Sequence, residues 1–470
     1  MRPLFHVVSN VWGDSHVDLF LDLTLPNVLS PGNLPALVER GRVVYRIFTT
    51  PSARGRIETS AIGQQLSSVV EVEYISPLGE RTPDTIWHVH WFHRSAAEAK
   101  AAAAMILFVP PDTLWTDGSF KHMVEKLLAG HRGVACPFLL VSSETCVSDA
   151  RGQFIDPATG ILTVPPAAMW PFARRHLHPL QMLAMPGGPH ARPAFELHWP
   201  VGGEGMISRY AIRELVAFDP GRCPITFLWN AGGPEDAEGV YFATDSDEML
   251  MLSVDPIAKY FQNYIVDHAC HPFDVSRSSL HPLNNTRQTR VFVSRSVRLH
   301  GHRATTDAWR RPERLATAAA RDIRVGRAAM LLHEALTAHR CMQSAHLLSI
   351  GLLDTHLSRR WRAEPPLTVI ATCDAALARA GLSRPLELTA PGRERELVDI
   401  LRDHVIPGDL PLGTTKHSLG ATSIRRDSSG RETTINGLRV LDGPIEIEGV
   451  ILFVVDAIVS DRLRRMLSST

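Results

Sequence analysis

The chain has 470 residues, of which 44% are hydrophobic and 21% are charged, as is usual for a globular protein. Lys and Arg together number 49 and so do Asp and Glu, which makes the formal net charge zero. A neutral chain does not favour a nucleic-acid or anionic-membrane partner, because both attract an excess of basic residues. The length predicts roughly two or three domains with enough apolar material for a sizeable core.

The cysteines and the N-terminal segment bear on the compartment. The six cysteines are widely spread and none belongs to a C-x-x-C pair, so neither a cysteine-built zinc site nor a disulfide scaffold is expected. The N-terminal segment lacks a basic stretch followed by a long apolar one. No apolar run reaches the roughly 18 residues that indicate a transmembrane helix. We therefore expect a cytoplasmic protein without a membrane span.

Strand and helix patterns alternate along the N-terminal part of the chain. Strands are predicted at residues 4–10, 43–49, 69–75, 106–112, 133–141, 240–244 and 291–299, and helices at 96–105, 120–129 and 257–269. A helix that runs directly into a buried strand, as at residues 96–112, is typical of a βαβ unit. We therefore expect an α/β fold in which helices flank a mixed or largely parallel sheet. Residues 149–193 are rich in Pro and Gly and are expected to form loops, with a cleft beneath them.

A polar and charged stretch at residues 303–314 separates this part from the remainder of the chain. A helical pattern follows it and runs to about residue 338. The predicted division is an α/β domain at residues 1–312 with the candidate catalytic groups, a connecting helix at 313–337, and a smaller domain at 338–470.

The smaller domain contains several segments that share the order and spacing of one family. They lie at residues 348–356, 367–377, 397–408, 434–440 and 447–457. Together they resemble the fasciclin-like domain family, although Asp403 stands where that family has an aromatic residue before its central histidine, here His404. The resemblance implies a small α+β domain that binds a protein partner or self-associates. We interpret His404 as a buried, hydrogen-bonded histidine that pins a helix to a loop, and Asn436-Gly437 predicts a tight turn between strands.

The sharpest local motif is Asp245-Ser246-Asp247, which follows the predicted strand at residues 240–244. Two carboxylates that are two residues apart at a strand end can reach one hard cation. Such a cation can bridge the diphosphate of a nucleotide-sugar and neutralise the charge that develops on the leaving group. The motif resembles the D-x-D element of GT-A-type glycosyltransferases. That resemblance implies Mn²⁺ or Mg²⁺ as the ion and a late histidine as a further ligand, for which His300 and His302 are the candidates.

The remaining candidates lie in turns at predicted strand ends. The sharp turn after the first strand suits the same fold, and a second acidic strand end lies near residue 112. We predict that the nucleotide-sugar is bound by Asn10, Trp12 and Asp14. We predict that the residues that act in catalysis are Asp112, Asp117 and Glu248.

Two other interpretations stay open for these residues. The acidic run from Asp245 to Glu248 also suits the first turn of a helix, whose dipole favours carboxylates. The 22 histidines offer a different metal site, because His88 and His90 would share one face of a strand. Further pairs are His176 with His178, His268 with His271, and His300 with His302.

The sequence thus predicts a metal-assisted, glycosyltransferase-like enzyme that uses a nucleotide-sugar and carries a fasciclin-like docking domain. The first alternative is a non-catalytic binding or assembly protein. The second is a metal-dependent enzyme of another class that uses histidines and carboxylates.

Overall fold

A computed structural model describes most of the chain in two compact units, Met1–Ala320 and Arg321–Thr470. The described residues are 2–76, 87–185, 196–210, 215–223, 239–258, 295–301, 307–345, 348, 366–381, 394–429, 432–447 and 449–468. The boundary between the units falls within one long helix, Arg310–Ala338. None of the helices in these ranges combines the length and the apolar character of a membrane span.

The first unit contains thirteen of the described strands. They are β1 (Leu4–Val11), β2 (Arg42–Thr49), β3 (Glu71–Ile75), β4 (Ala104–Phe108), β5 (Thr113–Trp115), β6 (Gly133–Ala135), β7 (Phe138–Ser142), β8 (Glu196–Val201), β9 (Gly205–Tyr210), β10 (Ala217–Phe218), β11 (Val240–Phe242), β12 (Met251–Asp255) and β13 (Val297–His300). The helices are α1 (Asp14–Leu19), α2 (Leu25–Val28), α3 (Leu34–Arg40), α4 (Pro51–Thr59), α5 (Ala61–Val69), α6 (Trp87–Ala101), α7 (Ser119–Leu128), α8 (Ser143–Phe154), α9 (Pro166–Arg175) and α10 (Pro179–Met182). Helix α11 (Arg310–Ala338) begins in this unit and continues into the second.

A seven-stranded sheet in the order β11-β6-β10-β4-β1-β2-β3 forms the centre of this unit. Only β10 runs against its neighbours β4 and β6, so the other strands of the sheet all point the same way. The predicted α/β class with a mixed, largely parallel sheet is therefore confirmed. Parallel sheets are covered on both faces, which explains the continuous apolar runs in the sequence.

The two faces of the central sheet border separate cores. In β1, Val7 belongs to one cluster of buried side chains and its neighbour Val8 to the other, because successive side chains of a strand point to opposite faces. Helix α7 covers one face with Phe120, Met123 and Leu127. Their spacing of three to four residues places them on one side of the helix.

Two predictions about this unit are corrected by the structure. Residues 133–141 form two strands in different sheets, β6 and β7, because the chain is interrupted at Pro137, which has no backbone N–H to donate to a ladder. The proline-rich stretch at 149–193 contains helices α9 and α10 as well as loops. Pro is favoured in the first turn of a helix, and there it marks helix starts. Residues 186–195 and the predicted helix beyond residue 258 lie outside the described residues.

Two three-stranded sheets, β5-β12-β7 and β13-β9-β8, complete the first unit. Strand β13 pairs antiparallel with β9, and His300 lies opposite Gly205. A side chain at position 205 would meet the Leu299 carbonyl at 2.4 Å and the Trp309 ring at 2.5 Å, so only glycine fits there. This close approach fixes the position of the strand that carries His300.

The second unit is built on a separate seven-stranded sheet, in the order β15-β14-β20-β19-β18-β17-β16. Its strands are β14 (Leu367–Thr372), β15 (Val405–Pro407), β16 (Thr415–His417), β17 (Ser423–Ser429), β18 (Glu432–Ile435), β19 (Leu438–Ile447) and β20 (Val450–Val455), and its helices are α12 (Asp374–Arg379), α13 (Glu394–Asp403) and α14 (Asp461–Ser468). Only β14 and β20 pair in parallel. This sheet-rich unit confirms a smaller C-terminal α+β domain.

Local predictions in the second unit are largely confirmed. The tight turn joins β18 to β19, with Asn436 and Gly437 both at positive φ. His404 is buried, and its Nδ1 lies 2.9 Å from the Ile400 carbonyl oxygen. That bond stays within the end of α13 and does not reach a loop, which corrects one detail. Of the segment at 348–356, only Leu348 lies within the described residues.

Candidate metal centre

The D-x-D motif lies on a turn that is held against β13. The Arg298 amide donates to the Thr244 carbonyl at 2.8 Å, and the Ser246 amide donates to the Arg298 carbonyl at 2.9 Å. These bonds make Asp245 and Arg298 partners in an isolated parallel bridge. The chain segment after β11 is thereby fixed next to a strand that lies far away in sequence.

Ser246, the middle residue of the motif, supplies a second connection to the same strand. Its side chain is buried, and its hydroxyl accepts a bond from the His300 amide at 3.0 Å and donates one to the His300 carbonyl at 3.2 Å. This serine therefore fixes the backbone of His300 relative to both aspartates. The D-x-D pattern gives no sign of this role for Ser246, because only the flanking carboxylates are typical metal ligands.

Asp245, Asp247 and His300 converge on one point. Nε2 of His300 lies 3.0 Å from Oδ1 of Asp245, and Nδ1 lies 3.9 Å from Oδ1 of Asp247. One ligand atom from each residue lies within 4.8 Å of the others, and within the described ranges no other group of three such side chains does so. Two carboxylates and an imidazole at this separation can hold one metal ion.

The exposure of the three side chains differs. The imidazole of His300 is 5% exposed, whereas the side chains of Asp245 and Asp247 are 32% and 28% exposed. The Trp309 ring meets His300 edge-on at 6.2 Å between centroids. The histidine thus forms the buried floor of the cluster, and the carboxylates form the rim that a ligand from solvent would meet.

The turn contains no helix start, so the helix-capping interpretation is wrong for this motif. Residues 246–248 form a turn that leads to β12, and the Asp247 amide donates to Oδ1 of Asp245 at 2.9 Å. Glu248 is engaged elsewhere, because its Oε2 accepts a bond from the Tyr241 hydroxyl at 2.7 Å. Burial, followed by this bond to Glu248, raises the pKa of Tyr241.

The other two acidic candidates lie near β5. Asp112 is in the turn between β4 and β5, and its carbonyl accepts a bond from the Val254 amide at 2.8 Å. Oδ1 of Asp117 accepts a bond from the Gly32 amide at 2.7 Å. A side chain at position 32 would lie 2.4 Å from the Gly118 nitrogen, so the loop needs glycine there. Asp117 therefore anchors that loop.

The three residues predicted to bind the nucleotide-sugar differ in their surroundings. Asn10 lies near the end of β1, and its Oδ1 is buried without a hydrogen-bond partner in the described part of the chain. The Trp12 ring packs edge-on against Trp91 at 4.8 Å. Asp14 begins α1 in an almost fully exposed position, with Oδ1 3.1 Å from a guanidinium nitrogen of Arg56.

Sheet topology brings several of these groups to one edge. Strands β1, β2, β4 and β11 point the same way, so their carboxyl ends share one edge of the central sheet. Asn10, Thr49, Asp112 and the Asp245 turn lie at or just after those ends. In sheets of this kind, ligands bind outside the carboxyl ends of the strands.

Where the structure describes the histidine pairs, their arrangement differs from the prediction. His88 and His90 lie in helix α6, not in a strand, and residues two apart on a helix do not share a face. The ring of His176 contacts Asp149 at 2.6 Å and Thr145 at 2.9 Å. His178 begins α10 and accepts a bond from the Leu180 amide at 3.1 Å. His268, His271 and His302 lie outside the described residues.

Comparison with known proteins gives only distant similarities. No protein-family model matches the chain, and no curated protein matches it. The chain is similar to the structure of a FAS1 domain pair from the insect cell adhesion molecule fasciclin I, with 12% identity over 23% of this chain and 42% of that one, and a TM-score of 0.19. It is also similar to a protein assigned as a glucose-1-phosphate thymidylyltransferase from Bacillus anthracis, in complex with a sucrose, with 12% identity over 30% of this chain and 55% of that one, and a TM-score of 0.18.

The chain therefore spans about half the length of these two structures or less. Both TM-scores are too low to carry an argument about the fold or the activity of this chain.

Proposed function

We propose that the first unit is a divalent-cation-dependent enzyme that acts on a nucleotide-sugar. The observation that carries the proposal is the convergence of Asp245, Asp247 and His300 on one point, beside an edge of a parallel sheet. A divalent cation there would neutralise the diphosphate and the charge on its leaving group. Residues that meet only through tertiary structure form this cluster, which makes it more specific than the three-letter motif.

The donor set favours Mn²⁺ over Mg²⁺. Mg²⁺ prefers oxygen ligands in octahedral geometry and keeps several waters. An imidazole nitrogen beside two carboxylates suits a softer ion. His300 lies buried with its backbone fixed at both ends by Ser246, so the ring needs little rearrangement to serve as a ligand.

The chain's own groups would bind and orient the nucleotide-sugar. The two carboxylates at the rim are partly accessible from solvent, and Asn10 lies near the carboxyl end of β1 at the same sheet edge. Trp12 is proposed to pack against the ligand while its ring stays supported by Trp91. Asp112 and Glu248 are the proposed candidates for the catalytic acid or base. We also propose that the protein is located in the cytoplasm.

The second unit is proposed to dock a protein partner. Its sheet-rich α+β architecture and the sequence resemblance to fasciclin-like domains support this role. The unit carries no metal-type group of three His, Cys, Asp or Glu side chains among its described residues. The proposed chemistry is assigned to the first unit because that unit carries Asp245, Asp247 and His300.

The proposal is tested by titrating the protein with Mn²⁺ and measuring the free ion by electron paramagnetic resonance. We expect one tight site per chain in the natural protein. Asp245→Asn and Asp247→Asn should each lower the Mn²⁺ affinity of this site by at least about tenfold. Loss of a group that only orients a metal ligand already has an effect of about that size. Asp307→Asn is the matched control, because that side chain is 87% exposed and forms an exposed ion pair with Arg310 at 3.2 Å.

A thermal-shift screen of nucleoside-diphosphate sugars with Mn²⁺ tests the substrate class. A stabilising ligand should lose its effect in the Asp245→Asn variant but not in Asp307→Asn. If all variants have the same Mn²⁺ affinity, the three side chains of the cluster have only a structural role. The non-catalytic alternative would then gain support. Tightly bound Zn or Fe in the purified protein would favour the histidine-based class of enzyme.

A further inference from the structure

The first turns of α11 pack against the strands that support the candidate metal centre. Trp309 ends a single 3₁₀ turn, Asp307–Trp309, that leads directly into α11, and Glu313 and Thr317 belong to the helix. The three residues are spaced four positions apart, so their side chains lie along one side of the helical segment. We call Trp309, Glu313 and Thr317 the anchoring face.

Trp309 supports the imidazole of His300 directly. The residue is 9% exposed, and its indole meets the imidazole edge-on with 6.2 Å between the ring centroids. The indole also lies against Gly205, which is opposite His300 in the pairing of β9 with β13. An indole packed against both strands leaves the imidazole little room to turn away from the two aspartates.

Glu313 holds the segment that runs beside the D-x-D turn. Its Oε1 accepts a hydrogen bond from the Ser296 hydroxyl, and its Oε2 lies 3.8 Å from a guanidinium nitrogen of Arg298. The second contact is partly exposed, so the bond from Ser296 contributes more. Arg298 is the residue whose backbone bridges to Asp245. The carboxylate of Glu313 therefore contacts the chain on both sides of Val297, where β13 begins.

Thr317 adds a contact to the neighbouring strand β9. Its hydroxyl accepts a hydrogen bond from Nη2 of Arg209 at 3.2 Å, and Arg209 is only 4% exposed. The residue before it, Ser208, is opposite Val297 in the pairing of β9 with β13. All three residues of the anchoring face therefore hold the same pair of strands, and none of them belongs to the group of candidate metal ligands.

We infer that the anchoring face sets the metal affinity of the candidate centre, with Trp309 and Glu313 as positioning residues. Trp309 limits rotation of the His300 ring, and Glu313 fixes the backbone that bridges to Asp245. A change in the packing of α11 would therefore change Mn²⁺ binding, so the helix regulates this site. The effect on metal affinity rests on the proposed function, whereas the effect on the backbone beside the D-x-D turn does not.

The inference is tested by titrating the full chain with Mn²⁺ and measuring the free ion by electron paramagnetic resonance. Glu313→Ala should lower the affinity about tenfold, the effect of losing a group that only orients a metal ligand. Glu313→Gln keeps an acceptor for the Ser296 hydroxyl and should restore most of the affinity. Trp309→Phe should also weaken binding, because the smaller ring leaves a gap beside His300. Glu334→Ala, at an exposed position of the same helix, is the matched control.

Hydrogen exchange of the metal-free protein, followed by mass spectrometry, gives a second measurement. In Glu313→Ala, the amides of Ser246 and Arg298 should exchange faster than in the natural protein, because both form the bridge between the two segments. Helix α7, which covers the other face of the central sheet, should exchange at the natural rate. Circular dichroism shows whether Glu313→Ala folds; if it does not, Trp309→Phe supplies the same test.

The outcomes separate this inference from the proposed function. If the natural protein binds Mn²⁺ and Glu313→Ala and Trp309→Phe bind it equally well, the inference is overturned and the proposed function stands. If the natural protein binds no Mn²⁺, the proposed function fails. Unchanged exchange at Ser246 and Arg298 would then overturn the positioning role as well, whereas faster exchange would support it.

Discussion

Ser246 shows how one small side chain organises the candidate site. Its hydroxyl bonds to both the amide and the carbonyl of His300, at 3.0 and 3.2 Å. The aspartates on either side are thereby held at fixed positions relative to the imidazole. Groups that orient metal ligands have large effects on affinity even though they never contact the metal.

Replacement of Ser246 by Ala removes both bonds and should lower Mn²⁺ affinity about tenfold. The change leaves all three proposed ligands in the chain, so residual binding is expected. Electron paramagnetic resonance of free Mn²⁺ measures the change. Ser68→Ala is the control, because that hydroxyl is exposed and donates a bond to the nearby Gln65 carbonyl at 2.7 Å. Unchanged affinity in Ser246→Ala would remove the positioning role.

At the scale of elements, the second unit depends on a buried carboxylate. Asp403, at the end of α13, accepts bonds from the hydroxyls of Thr422 at 2.9 Å and Ser460 at 2.7 Å. Ser460 in turn accepts a bond from the Leu463 amide in α14 at 3.3 Å. A side chain on Gly420 would lie 2.1 Å from Oδ1 of Asp403, so the surrounding loop fits closely around the carboxylate. The residue that departs from the fasciclin-like pattern thus joins three elements.

Asp403→Ala should destabilise the second unit by about 2–3 kcal/mol, because the buried hydroxyl of Ser460 and the half-buried hydroxyl of Thr422 lose a charged acceptor. Hydrogen exchange followed by mass spectrometry should show faster exchange in α14 and around Thr422. Asp403→Asn keeps one acceptor oxygen and should have a smaller effect. Equal protection of α14 in Asp403→Ala and in the natural protein would contradict the anchoring role.

At the scale of the whole molecule, buried histidines in both units make stability depend on pH. Burial lowers the pKa of His198 to about 3 from 6.5, and burial also lowers the pKa of His6 and of His404. The unfolded chain binds these protons more readily than the folded one. Stability is therefore complete above the unfolded pKa of 6.5 and is lost as the pH falls through the interval toward 3.

We expect His198 alone to reduce the free energy of unfolding by about 2 kcal/mol between neutral pH and roughly pH 5. Urea unfolding as a function of pH measures the slope. His198→Gln should flatten it, whereas His16→Gln, at an exposed position in α1, should not. An identical slope in His198→Gln and the natural protein would contradict the assignment.

Sequence pattern by itself determined the elements whose information is local. Apolar runs such as the one in β1 predicted strands that are covered on both faces. Asn436-Gly437 predicted a turn because few residues tolerate positive φ. The prolines near α9 misled the prediction, because proline both breaks helices and begins them. The histidines of α6 were misassigned because a short pattern of two fits a strand as well as a helix.

Only the tertiary structure decided how the candidate site is assembled. The D-x-D motif was visible in the sequence, where His300 and His302 were equal candidates for its histidine partner. The bridge between Asp245 and Arg298 brings His300 next to the motif, although His300 lies 54 residues after Ser246 in the chain. The bonds between Ser246 and His300 left no signal in the sequence. A hydroxyl that bonds to a distant backbone depends on contacts between remote segments, which local propensity does not encode.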